Sequence, residues 1–120
     1  MNFSSLLTST FYQQLYVIGN EITHISPKIG QLVNLELLDV SGNQIECVPS
    51  EIAALAHLRE LHVLNNKISD LPEDIKQLNK TLNVLALSGN RFETIPPVVF
   101  ELSQVRSHYS RECSSFNRFY

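Results

Sequence analysis

The sequence contains little cysteine, glycine or charge, and it has no tryptophan. Its two cysteines, Cys47 and Cys113, are too few for a disulfide framework and fit no zinc-ligand spacing, so we expect free thiols in a reducing compartment. No apolar run is long enough to span a bilayer, and the first residues lack the basic start of a secretory signal. Lysine and arginine form no runs, which argues against a nucleic-acid partner. We therefore expect a cytoplasmic protein.

Leucine and asparagine are abundant instead. The 120 residues include 17 leucines, nine isoleucines and ten asparagines, and the formal net charge is −3. A hydrophobic content of 43% is enough to build the core of one domain. Because leucine and asparagine are both in excess, a periodic pattern is expected.

The asparagines reveal internal repeats. When the chain is aligned on Asn20, Asn43, Asn66 and Asn90, the spacings are 23, 23 and 24 residues. Apolar residues then recur eight, five and three positions before each asparagine, and two, five, nine and twelve positions after it. Three of the four units also carry a proline six positions after the asparagine: Pro49, Pro72 and Pro96.

This pattern resembles the leucine-rich repeat family, with the unit L-x-x-L-x-L-x-x-N-x-I-x-x-[LIV]-P-x-x-I-x-x-L repeated over residues 35–55 and 58–78. The 23-residue length and the Leu-Pro-x-x-Ile segment are most similar to the intracellular, Ras-associated class of Erbin-like adaptors. The resemblance implies an α/β solenoid of about four repeats, with a short parallel concave sheet and short helical or 3-10 convex segments. It also implies protein recognition through the concave face.

The residues support the same architecture on physical grounds. Each Leu-x-Leu or Leu-x-Val pair alternates apolar and polar positions, which predicts a strand of three or four residues with its leucines pointing inward. The chain must turn after each strand, and the asparagine amide has the donors and acceptor to pair the backbone groups exposed there. The asparagine column (Asn20, Asn43, Asn66 and Asn90) is therefore expected to be structural.

Departures from the repeat indicate the ends of the solenoid. Tyr12 replaces a leucine in the first unit and Pro27 comes one position late, so we expect residues 1–14 to form an N-terminal cap and residues 15–102 to form four repeats. One extra residue lies between Leu78 and Leu82, where a loop can bulge outward. Residues 103–120 fit the repeat poorly and are expected to form a C-terminal cap or tail with a degenerate fifth repeat.

That tail is slightly basic, whereas the body is acidic. Residues 1–102 carry six basic and eleven acidic side chains, and the tail has three arginines against Glu112. One interpretation is a basic anchor with interleaved aromatics for a membrane surface or RNA. The other is a cap over the last repeat or a frayed terminus, which we favour because three arginines contribute little at physiological salt.

The sequence does not suggest an enzyme, a cofactor or a metal site. Asp39 and His62 fall in one outward column of adjacent repeats, so their side chains are expected to approach within about 5 Å. Such a pair could orient a general base, but no nucleophile stands beside it, and a surface ion pair of small energy is the simpler interpretation. The other histidines (His24, His57 and His108) fall on different faces, and no glycine-rich phosphate loop occurs.

The outward strand positions are the candidate binding residues, because the core does not constrain them. Several are apolar where solvent is expected and surround charged residues, which is typical of an interface. The predicted partner-binding residues on the concave face are Tyr16, Ile18, Leu37, Asp39, Glu60, His62, Leu64 and Val84.

The leading hypothesis is a non-enzymatic module that binds a partner protein through the concave sheet. The family resemblance suggests a signalling adaptor or a small-GTPase-associated scaffold. The alternative is a structural or truncated repeat fragment that associates weakly with itself through an uncapped solenoid edge.

Overall fold

Five short strands form a single parallel sheet in the computed structural model of the chain, which describes residues 12–108. Each strand pairs with the next in chain order, as expected for stacked repeats. This arrangement confirms the predicted solenoid. The strands are β1 (Gln14–Tyr16), β2 (Leu37–Asp39), β3 (Glu60–His62), β4 (Val84–Ala86) and β5 (Arg106–His108).

A short 3-10 helix returns the chain between successive strands. In the second, third and fourth helices, the proline at plus six is the N-cap residue, and its backbone is extended at Pro49 and Pro72. Proline suits this position because its missing N–H group falls where a helix start needs no donor. The helices span Pro27–Gln31, Ser50–Ala54, Glu73–Leu78 and Pro97–Glu101.

The core fills the space between the sheet and the 3-10 helices. Its inward columns are almost completely buried, as Leu38, Leu61 and Leu85 illustrate at the centres of their strands. Isoleucines at plus nine, such as Ile52 and Ile75, are equally buried in the helices. A single repeat could not bury these side chains by itself, so the stacking of neighbouring repeats supplies the hydrophobic stabilisation.

The sheet continues one strand beyond the four predicted repeats. Val105 packs against the core at the position that leucine takes in the second, third and fourth repeats. A 23-residue spacing would then place His108 beside Leu85, but Ser107 pairs with Leu85 and His108 pairs with Ala86. β5 is therefore shifted by one residue from a 23-residue spacing, because the connection from Val105 to β5 is one residue shorter than in the other repeats.

The predictions for the two ends of the chain concern mostly residues that the structure does not describe. Most of the predicted N-terminal cap, together with Cys113 and the aromatic residues of the basic tail, lies outside the described residues. For β5 the backbone alone is described.

Each of the strands β1 to β4 is followed by a turn that needs a left-handed residue. The position directly before the asparagine column has a positive φ in every repeat, at Gly19, Gly42, Asn65 and Gly89. Glycine adopts this conformation without a steric penalty, and asparagine is the side chain that tolerates it best. The chain therefore uses Gly-Asn, or Asn-Asn in the third repeat, to leave the sheet.

The asparagine side chains connect each repeat to the one before it. Asn43 Nδ2 donates to the carbonyl oxygen of Val17 in the preceding repeat (2.7 Å) and to that of Val40 in its own repeat (2.8 Å). Its Oδ1 accepts from the N–H of Ile22 (3.2 Å), again in the preceding repeat. Asn66 and Asn90 make the equivalent bonds one and two repeats further on. We call this set of bonds the asparagine ladder.

Asn20 differs from the other three asparagines. Its amide donates to the carbonyl of Ile18 at 3.1 Å, within its own turn, and it is more exposed than Asn43. Among the described residues, no repeat precedes Asn20, so it lacks the partners that Val17 and Ile22 provide to Asn43. Asn20 is thus a natural control for the role of the ladder.

Replacing Asn43 with alanine should destabilise the protein, because the N–H of Ile22 and the carbonyl of Val17 would lose their partners inside the structure. We expect a loss of about 1 to 3 kcal/mol in the free energy of unfolding, measured by urea denaturation. Asn20→Ala should cost less than about 0.5 kcal/mol, since it removes one local bond at the surface. Equal losses for the two variants would show that the ladder does not stabilise the stacking.

Candidate protein-binding face

The strand register arranges the outward residues in two continuous columns. Gln14, Leu37, Glu60 and Val84 lie side by side at the first positions of β1 to β4. The second column, at the last positions of the same strands, contains Tyr16, Asp39, His62 and Ala86, of which Ala86 is buried. We call these columns, together with Ile18 and Leu64 just beyond the strands, the concave face. It contains all eight residues predicted to bind a partner.

Exposure is uneven across the concave face. Tyr16 and Ile18, at its N-terminal end, are the most exposed apolar residues of the face, at 55% and 53%. Leu37, Leu64 and Val84 are half-buried by their neighbours along the columns. The apolar surface is therefore concentrated on the first repeat and extends as a partly covered strip across the next three.

Two serines near the edge of this face are buried, although they occupy the same repeat position as the outward Ile18 and Leu64. Ser41 and Ser88 are exposed by 9% or less. The hydroxyl of Ser41 accepts a hydrogen bond from the N–H of Leu64 in the next repeat, at 3.1 Å. Ser41 thus connects repeats rather than contributing to a binding surface.

The predicted ion pair between Asp39 and His62 does not form. The two residues are register neighbours, but Nε2 of His62 lies 3.2 Å from Oε1 of Glu60, two positions earlier on its own strand. Asp39 instead accepts a hydrogen bond from the N–H of Ser41 at 3.0 Å. The N–H of Ser41 is held in the turn beside Asp39, whereas the imidazole of His62 lies on the neighbouring strand.

This geometry leaves a polar centre between apolar flanks. The Glu60–His62 pair is partly exposed, and an exposed pair of this kind contributes little to stability. Its carboxylate and imidazole are therefore available to a ligand together with the carboxylate of Asp39. The concave face can therefore form hydrogen bonds and ion pairs with a ligand beside apolar contacts.

The residues described show no grouping of three or more histidine, cysteine or acidic side chains that could hold a metal ion. Within the same part of the chain, no helix is long and apolar enough to cross a membrane. Cys47 is a free, exposed thiol in the loop after β2.

A family model matches most of the chain. The model for the leucine-rich repeat region of "leucine-rich repeat and WD repeat-containing protein 1" covers residues 10–116. The chain therefore belongs to this family of leucine-rich repeat domains. A comparison with curated protein sequences gives no match.

Solved structures share the same solenoid. A leucine-rich repeat protein of Leptospira interrogans is 34% identical with a TM-score of 0.72, over 82% of this chain and 25% of its own. Internalin C2 from Listeria monocytogenes is 28% identical with a TM-score of 0.75, over 88% of this chain and 44% of its own.

The plant peptide hormone receptor RGFR1, solved in complex with RGF2, is similar in fold alone, at 21% identity and a TM-score of 0.74. The match covers 88% of this chain and 18% of the receptor. The chain thus spans less than half the length of each of these three structures.

The exposed apolar residues of the concave face should contribute little to folding. We expect Tyr16→Ala and Ile18→Ala each to change the free energy of unfolding by less than about 1 kcal/mol, because both side chains are largely in solvent. Val17→Ala is the matched control: its buried side chain lies between them, and its truncation should cost about 2 kcal/mol. A large loss for Tyr16→Ala would mean that this residue serves the core instead.

Proposed function

We propose that this domain binds a partner protein through its concave face and has no catalytic role. The observation that carries the proposal is the exposed pair Tyr16 and Ile18, continuous with a strip that includes the Glu60–His62 pair. Exposed aromatic and aliphatic side chains beside polar groups are the usual composition of an interface, with the apolar residues as anchors. Protein recognition is also the usual activity of leucine-rich repeat proteins.

The stacked strands suit this role because they form a rigid platform. Each strand is fixed to its neighbours by backbone bonds, such as that from the N–H of Val40 to the carbonyl of His62 at 3.0 Å. The side chains of the two columns are therefore held in place before a partner arrives. A partner that binds a preformed surface loses less conformational entropy in the complex.

The cellular setting is a further part of the proposal. The Leu-Pro-x-x-Ile repeats resemble those of intracellular adaptors, and an exposed free thiol at Cys47 suits a reducing compartment. We infer a cytoplasmic protein that acts as a signalling adaptor or a small-GTPase-associated scaffold.

Affinity capture with matched variants tests the binding face. Tyr16→Ala/Ile18→Ala removes the exposed anchors of the concave face, and Val33→Ala/Phe100→Ala removes side chains of similar exposure, 48% and 63%, that lie away from the strand columns. Each protein is used to capture partners from the native cell, and the dissociation constant of the captured partner is then measured.

We expect the concave variant to bind at least about thirtyfold more weakly, since two interface anchors contribute about a kcal/mol or more each, and the other variant to bind as the wild type does. Circular dichroism checks that both remain folded. Equal affinities for the two variants would contradict the proposed face.

A further inference from the structure

A polar groove lies beside the sheet, at the edge where the strands begin. Its volume is about 350 Å³, and its lining includes Glu36, Arg59 and Asn83, the residues that directly precede β2, β3 and β4. These three are equivalent positions of successive repeats. The N–H of Arg59 donates to the carbonyl of Glu36 (2.8 Å), and that of Asn83 donates to the carbonyl of Arg59 (2.7 Å), which fixes their spacing.

The one insertion in the repeat pattern supplies another wall of this groove. The 24-residue unit places Lys80 and Thr81 in the connection between the third 3-10 helix and β4, and both line the groove. The N–H groups of Thr81 and Leu82 both donate to the carbonyl of Leu78, at 3.1 and 2.8 Å. The extra residue is thus held in a fixed turn, so the insertion has a defined position.

The groove is cationic on an acidic body. Arg59 and Lys80 are two of the six basic residues in the first 102, where eleven acidic residues are present. His57 adds an imidazole to the lining, and the carboxylate of Glu36 is the opposing charge. Over the described part of the chain, the one ion pair is that of Glu60 and His62, so Arg59 and Lys80 have no carboxylate partner.

These groups have the chemistry of an oxyanion site. Arginine and lysine together with a threonine hydroxyl and an asparagine amide present hydrogen-bond donors around one cavity. Guanidinium and ammonium groups bind phosphate and carboxylate oxygens through charge-assisted hydrogen bonds. A phosphate monoester has three acceptor oxygens with which to engage both cations, whereas a carboxylate has two.

We infer that this groove binds a phosphorylated side chain of a protein partner. Glu36, Arg59 and Asn83 stand directly before Leu37, Glu60 and Val84 of the concave face, so a segment lying on that face reaches the groove within a residue or two. The inference that the phosphate belongs to a protein rests on the proposed function. The oxyanion site itself depends only on the residues of the groove.

A nuclear magnetic resonance titration of the full chain tests the site. The probes are acetyl-phosphoserine amide, acetyl-glutamate amide and inorganic phosphate, each added at constant ionic strength. We expect saturable amide shifts at Arg59, Lys80 and Thr81 with the phosphoserine probe, and weaker binding of the other two. Inorganic phosphate binding as tightly as phosphoserine would overturn the assignment to a protein side chain.

Matched charge variants show whether phosphoserine binds at the groove or is attracted by positive charge in general. Arg59→Gln/Lys80→Gln should weaken phosphoserine binding by about tenfold, because charge-assisted hydrogen bonds are lost. Arg91→Gln/Lys76→Gln removes the same charges outside the groove lining and should leave binding unchanged. Equal weakening by the two variants would overturn the site.

Glu36→Gln gives a result that a purely structural role would not produce. It removes the opposing carboxylate, so phosphoserine should bind about two- to fivefold more tightly. An unchanged or weaker affinity would count against the site. Tyr16→Ala/Ile18→Ala should leave this titration unaltered, so failure of the concave-face proposal and failure of the groove can be told apart.

Discussion

The hydrogen bonding of the asparagine side chain is the constraint on which the rest of the structure depends. A chain that leaves a sheet after three residues exposes backbone groups that no neighbouring strand can pair. Asn43, Asn66 and Asn90 each satisfy such groups in two repeats at once, through an Nδ2 that donates to both and an Oδ1 that accepts from the preceding one. The left-handed residue before each asparagine turns the chain so that the amide can enter. Because these bonds cross from repeat to repeat, they also fix the order in which the strands stack.

The candidate binding surfaces follow from this stacking. Once the strands are in register, every outward position becomes a column, and Tyr16, Asp39 and His62 are neighbours although they are distant in the chain. The same register brings Glu36 and Arg59 together at the edge of the sheet. The concave face and the groove are therefore two surfaces of one scaffold. The concave face follows from the regular repeat alone, whereas the groove also requires the single insertion that places Lys80 and Thr81.

The sequence predicts the fold well because the repeat makes each position appear four times. The strands, the 3-10 segments and the inward leucines all follow from the columns. The predictions that were wrong concern side chains with more than one available partner. His62 pairs with Glu60 on its own strand rather than with Asp39 on the neighbouring strand. Ser41 is buried and accepts a hydrogen bond from the next repeat, although the same repeat position is outward at Ile18 and Leu64. The shift of β5 depends on a connection one residue shorter, and its sequence matches the repeat too poorly to show this. The groove was not predicted because the inserted residue has no counterpart in the other repeats. The available signal was a second basic residue, Lys80, three positions before Asn83, the repeat equivalent of Arg59.

Amide hydrogen exchange is the most direct test of the asparagine ladder. The N–H groups of Ile22, Ile45 and Ile68 bond to the side-chain oxygens of Asn43, Asn66 and Asn90, so all three should exchange as slowly as the N–H groups of the sheet. In Asn66→Ala, the exchange of Ile45 should rise more than that of Ile22 or Ile68, beyond any change common to the whole protein. Fast exchange of all three in the wild type, or an equal rise in the variant, would contradict the account.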